Sequence, residues 1–347
     1  MAIQTDGSVW SLGQTPAEKI KESAVAVSDN PHASFILLED GTLWGMGLNT
    51  WGEVGDGTFE DREEPVLILE NVGMVDGSAA RLEDGSLYRW GHHKLLYRNG
   101  VSDLNPERDA TPYPVVRALD NVVYFVQDGL AMFAIQEDSS LWGWGHNGHG
   151  ELGLGHTRDI PVGEPARIKD NIYNIWTEPG LWGNAHVLDN SGTLWGAGHA
   201  YRYRADRGLT FAPVMENVVD FAAPGIVLTS DGKMWSLIWG SWYDSDNPVF
   251  LMDEVVGVFA GGGHTAAIRA DGSLWVWGGA SEIGLQYEDI LLGERDFPVN
   301  IAENVHSVYL TGLIAFLKND GTLWKITRTE SQDGIEPVLI MENVRLP

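Results

Sequence analysis

The residues best suited to chemistry sit in glycine-rich stretches. "GHNGHGELGLGHT" brings His146, His149 and His156 close along the chain, a spacing from which a metal triplet could be drawn. Histidine ligands are oriented by partners of their second ring nitrogen, and the intervening glycines predict a turn that would hold no such frame. Loop histidines, and no metal, are the expectation. "GWGHNG" at Gly143 to Gly148 matches the dinucleotide fingerprint in form. That fingerprint needs a following helix whose N-terminus takes the pyrophosphate, and here more glycine follows. His32 and His264 stand just before similar alternating segments, which points to a structural position. "YDSDNP" from Tyr243 is too short for a calcium loop. The chain contains no cysteine, so disulfides, thiolate metal sites and a cysteine nucleophile are excluded while the redox compartment stays open. No phosphate loop, zinc-protease motif or nucleophile elbow occurs. The expectation is a protein without catalytic residues or cofactor.

A second group has the composition of a binding surface. "HAYRYRADRG", His199 to Gly208, interleaves Arg202, Arg204 and Arg207 with Tyr201 and Tyr203. Arginine offers a planar fork and tyrosine a rigid amphipathic ring, both enriched at interface hot spots. The plainer alternative is that these arginines pair with neighbouring carboxylates such as Asp206, at little gain when exposed. Trp51, Trp242 and Tyr243 lie in other glycine-rich or polar stretches and join the candidate contact set.

Repetition shows which elements must carry these loops. The words "DGSVW" at Asp6, "DGTLW" at Asp40, "DGSLY" at Asp84, "DSSLW" at Asp138, "SGTLW" at Ser191, "DGKMW" at Asp231, "DGSLW" at Asp271 and "DGTLW" at Asp320 recur. Their mean spacing is about 45 residues, the period of one four-stranded propeller blade. Asp-Gly is a strong short hairpin signal; alternating segments such as "HTAAIRA" precede it, and "SLWVWG" follows. Segments opening on proline, such as "PVLILENV" from Pro65 and "PVNIAENV" from Pro298, suit outer edge strands. The reading is all-β: one closed β-propeller domain over residues 1–347, eight blades by motif count with seven as the alternative. The closing "MENVRLP" resembles an internal header such as "MENVVDFA", so the N- and C-terminal strands are expected to share one blade and close the ring. Within each blade the loops between the third and fourth strands would be variable, and the Asp-Gly turns uniform.

These residues resemble the repeat of the regulator of chromosome condensation propellers, including bacterial members. "VFAGGGHTAAIRADGSLWVWGG", Val258 to Gly279, and "DSSLWGWGHNGHGELGLGHT", Asp138 to Thr157, carry the resemblance. No Trp-Asp dipeptide, the mark of another propeller repeat, is present. Only Asn49 to Gly57 and Asn147 to Gly155 keep the family's Asn-x-x-Gly tail. The resemblance implies a scaffold acting through protein surfaces, and no family contact residue matches a position here.

Charge bears on partners. With 49 acidic against 22 basic residues the net charge is −27, whereas nucleic-acid binding draws most of its affinity from phosphate neutralisation by Lys and Arg. Nucleic acid is therefore not expected, and no apolar run is long enough for a membrane span. The leading reading is a monomeric, non-enzymatic protein-binding propeller. Alternatives are a glycan or small-ligand module in the central funnel and an enzyme with an unrecognised site. A native start at Met1 reads as cytoplasmic; a removed signal segment would read as secreted or cell-surface.

Overall fold

The structure is a computed structural model. It describes residues 2–11, 18–30, 32–91, 115–128, 131–161, 163–178, 183–201, 206, 208–223, 225–239, 242–243, 248–261, 264–278, 298–310, 314–328 and 335–344. Two compact units emerge, Met1–Asn190 with Leu194–Pro213 and Ser191–Thr193 with Val214–Pro347.

The first unit opens with a three-stranded antiparallel sheet, Ala2–Ile3, Val9–Ser11 and Glu18–Lys21. Four-stranded meanders follow over 24–69, 72–119, 122–169 and 172–215, the division between the units falling inside the last strand, Ala212–Met215. The second unit holds four-stranded meanders over 218–252, 255–302 and 305–341. Thus seven sheets among the described residues are four-stranded, the number the sequence reading held as its alternative. The eighth motif, at Asp6, lies in the three-stranded sheet.

Each repeated word builds one turn. Asp271 Oδ1 accepts the Ser273 backbone N–H at 2.9 Å and its hydroxyl at 2.6 Å; Ser273 Oγ in turn accepts the Trp275 indole N–H at 2.9 Å. The same relay recurs at Asp6/Ser8/Trp10, Asp40/Thr42/Trp44, Asp138/Ser140/Trp142 and Asp320/Thr322/Trp324. It fixes the side chain of the third strand from the turn that precedes it. Gly41 takes φ +78° here, and Ser139 takes +62° at the place where most repeats have glycine.

Consecutive sheets are joined at these turns. Val72 donates its backbone N–H to Gly41 O, Val122 to Gly85 O and Val305 to Gly272 O, at 2.8 to 3.0 Å, and Val344 does the same to Gly321 O at 2.8 Å. The residue before each donor is left-handed: Asn71, Asn121, Asn304 and Asn343 have φ between 54° and 59°. Asparagine tolerates that region better than most residues, which explains the recurrent "ENV". Second strands are the most buried, as in Ala131–Gln136 and Asn184–Asp189, and fourth strands are mostly exposed or half-buried. Apolar clusters fill the layers between neighbouring sheets, for example Phe35, Val54, Ala80 and Trp90, or Phe133, Ile135, Leu152, Ile175 and Val187.

The supposed equivalence of His32 and His264 is corrected. Gly47 pairs with Ala33, as Gly278 pairs with His264, so His32 is one residue out of register. His32 is exposed and His264 buried.

Candidate interaction loops

Two connections between third and fourth strands are built to one plan within the first unit. Asn49 is fully buried: its side-chain NH2 donates to Thr58 O and Asp56 Oδ1 at 3.0 Å and to Glu60 O at 3.1 Å, while its Oδ1 accepts the Val54 N–H at 2.9 Å. Arg62 Nε closes the loop on Asp56 Oδ2 at 2.6 Å. Asn147 repeats the arrangement, donating to His156 O at 2.7 Å and Arg158 O at 3.2 Å and accepting from Leu152 N–H at 3.0 Å. One buried amide thereby satisfies carbonyls that would otherwise lose hydrogen bonds. These are rigid mounts despite their glycine content.

Each mount docks on the next sheet. Trp90 lies over Gly55 and donates its Nε1–H to Glu53 O at 3.1 Å. In the second loop Gly155 N–H donates to Leu209 O at 2.8 Å, and Phe211 packs where a side chain at Gly153 would stand.

The tips differ in chemistry. In the first loop Leu48 is 53% and Trp51 40% exposed. The corresponding positions of the second loop are His146 and His149. Glu151 anchors them, with Oε1 2.5 Å from His146 Nδ1 and Oε2 accepting the His149 N–H at 2.8 Å. Burial pushes the Glu151 carboxyl up, but the His146 hydrogen bond, the backbone N–H groups and the His146 charge together hold it below its usual range. His149 meets His146 edge-on with ring centroids 5.9 Å apart, and His199, from the next sheet, at 5.3 Å. His156 is not in this row; its Nδ1 accepts the Arg158 N–H at 3.2 Å inside its own loop. Among the described residues no group of three or more His, Asp or Glu side chains could hold a metal ion.

The expected contact residues fare differently. Trp51 is partly exposed. Tyr201 is corrected: it lies at the end of a short 3-10 turn, His199–Tyr201, and is only 3% exposed. Its ring covers Gly196, and its hydroxyl is 2.6 Å from the buried His186 Nε2. It is a filler of its own sheet and not a partner-facing ring. Arg202, Tyr203, Arg204 and Arg207 lie outside the described residues. The backbones of Trp242 and Tyr243 form a small two-stranded hairpin with Ile238–Trp239. Asp206, suggested as an arginine partner, caps its own loop through the Gly208 and Thr210 N–H groups at 3.0 and 3.1 Å. The sequence reading missed His186 and His199 because their partners are distant in sequence, although the Gly196-x-Gly198-x-x-Tyr201 spacing signals a ring folding back over glycine.

With this geometry in view, comparison with known proteins bears on the fold. The family model described as Regulator of chromosome condensation (RCC1) repeat matches residues 255–282. The RCC1 domain-containing protein RUG3, mitochondrial, of Arabidopsis thaliana is 26% identical over 325 residues, covering 80% of this chain and 70% of that protein. The Ultraviolet-B receptor UVR8 of Arabidopsis thaliana is 23% identical over 289 residues; the match covers 74% of this chain and 64% of the receptor. Among solved structures, Saccharomyces cerevisiae Prp20p superposes with a TM-score of 0.57 at 16% identity, covering 89% of this chain and 84% of that one. The fold class is the β-propeller of four-stranded blades. The repeat over residues 255–282 is similar to the regulator of chromosome condensation type.

Proposed function

We propose that this protein is a non-enzymatic, monomeric scaffold that binds another protein through its third-to-fourth-strand loops. The observation that carries the reading is the contrast within the first loop. Its frame is held by the buried Asn49 and the Asp56–Arg62 pair, while Leu48 and part of Trp51 are exposed at its tip. An aromatic anchor on a preorganised mount loses little conformational freedom on binding, which is how a few residues come to dominate an interface. The structural relative Prp20p is described by its binding to Gsp1p and histones, which supports a protein-binding use of such a fold. Arg202, Tyr203, Arg204 and Arg207 remain proposed contacts, as do Trp242 and Tyr243. The net charge of −27 favours a partner with basic surface and disfavours nucleic acid.

The test is affinity capture with the whole chain against its Leu48→Ala/Trp51→Ala double variant. Loss of at least about tenfold in affinity for the captured protein, about 1.4 kcal/mol, with an unchanged melting temperature is expected. Equal capture by both would overturn the assignment.

A further inference from the structure

A buried indole N–H without an acceptor, that of Trp144, and a largely buried guanidinium, that of Arg89, lie on adjacent sheets of the first unit. Arg89 ends the third strand of the sheet over 72–119 and is only 5% exposed. Among the described residues no hydrogen bond or ion pair reaches its guanidinium, and burial alone pushes it down to about 10. Such a group is costly: a buried charge is normally paired or hydrogen-bonded. Trp144, in the third strand of the sheet over 122–169, is fully buried, and its indole N–H also lacks an acceptor. Trp90, the same distance past its own hairpin aspartate, gives that N–H to Glu53 O. The contrast marks Trp144 as a donor whose acceptor is missing.

Strand register brings the two together. Asp76 pairs with Ala79, and Ala79 with Arg89, so these three share a row. Gln127 pairs with Met132, and Met132 with Trp144, forming a row of the neighbouring sheet. Directly opposed residues of antiparallel strands point to the same face. Ala79, Met132 and Trp144 lie in one apolar cluster, and the rows are tied at one end by Gln127 N–H donating to Asp76 Oδ2 at 3.0 Å. Asp76 does not serve Arg89. Ala79 stands between them in the row, and burial pushes the Asp76 carboxyl up, relieved only by the Gln127 N–H. Near it lies the Tyr124 hydroxyl, a neutral group whose ionisation is pushed up by burial and by Asp76.

We propose that this layer is a binding site for a small oxyanion, a carboxylate or phosphate group, which accepts from the Arg89 guanidinium and the Trp144 indole. A planar carboxylate suits the guanidinium fork, and phosphate offers the same acceptor geometry.

The test is thermal denaturation of the full chain at constant ionic strength, with chloride replaced stepwise by acetate in one arm and inorganic phosphate in the other. A saturable rise of a few degrees in at least one arm is expected, and the arm that responds identifies the ligand class. General salt stabilisation rises without saturating and is shared by all variants. Arg89→Met should abolish the saturable rise. Trp144→Phe, which keeps an aromatic ring but removes the N–H, should shift its midpoint to at least about threefold higher anion concentration. The Trp144→Phe arm decides the matter if the Arg89 variant does not fold. No saturable rise in the wild type, or an identical midpoint in Trp144→Phe, would overturn the proposal.

Discussion

The Tyr201 hydroxyl sits 2.6 Å from His186 Nε2, and both side chains are buried. A residue that looked like part of an exposed tyrosine-arginine island is a core element of its sheet. Tyr201→Phe removes the hydroxyl and leaves a buried imidazole with one fewer partner, so stability should fall by about 1–2 kcal/mol. Partner capture should be unchanged in the folded fraction. A variant that melts like wild type but loses capture would restore Tyr201 to the contact surface.

The buried Glu151 carboxylate should make the second loop acid-sensitive. Its folded pKa is held below the ordinary 4.5, so its contribution is fully present above that value and is lost as the pH falls through the folded pKa. Glu151→Gln is expected to melt below wild type at pH 7, with the gap narrowing below about pH 4.5. Melting curves across pH 3 to 7 would show it; a gap independent of pH would indicate packing loss alone.

Asp220 has the opposite sign. Burial pushes its carboxyl up, and only the Phe221 N–H, at 2.8 Å, relieves it. Stability from such a group is present below its unfolded value of 3.8 and lost as the pH rises through the folded pKa. Asp220→Asn keeps the acceptor and removes the charge. A gain of under about 1 kcal/mol at pH 7, after solvent screening, is expected, disappearing near pH 3. Destabilisation at neutral pH would show that the charge has a partner.

Ser139 takes φ +62° where neighbouring repeats have glycine. A side chain in that conformation costs about 1–2 kcal/mol relative to glycine, partly offset by glycine's greater freedom in the unfolded chain. Ser139→Gly should therefore stabilise by roughly 0.5–1 kcal/mol in chemical denaturation. Its hairpin bond from Ser139 N–H to Gln136 O is backbone and survives.

What could be read beforehand was local. Asp271, Gly272, Ser273 and Trp275 make one turn from consecutive residues, so the motif carries its own geometry and repeats visibly. The Asn49 and Asn147 tails were visible for the same reason, although the glycines suggested mobility where a buried amide gives rigidity. Relationships between repeats were not legible. Nothing in the spacing brings His199 to His149, puts Trp90 over Gly55 or leaves Trp144 without an acceptor, because each depends on which sheets become neighbours. The recurrent Asn of "ENV" was seen as a word, and its left-handed backbone was not. Composition could not separate the exposed Trp51 from the covered Tyr201, since both follow glycine-rich third strands.

The joint between Val72 and Gly41, repeated at Val122, Val305 and Val344, has an evolutionary consequence. Every unit of sequence carries both halves of this joint, a donor at its start and an acceptor in its own hairpin. A whole unit can therefore be copied or excised by recombination in phase, and the new neighbours meet with matching ends. A copy out of phase by even one residue would separate the left-handed residue from the donor that follows it, a place filled by Asn71 and Asn121 and equally by Ser23 and Glu254.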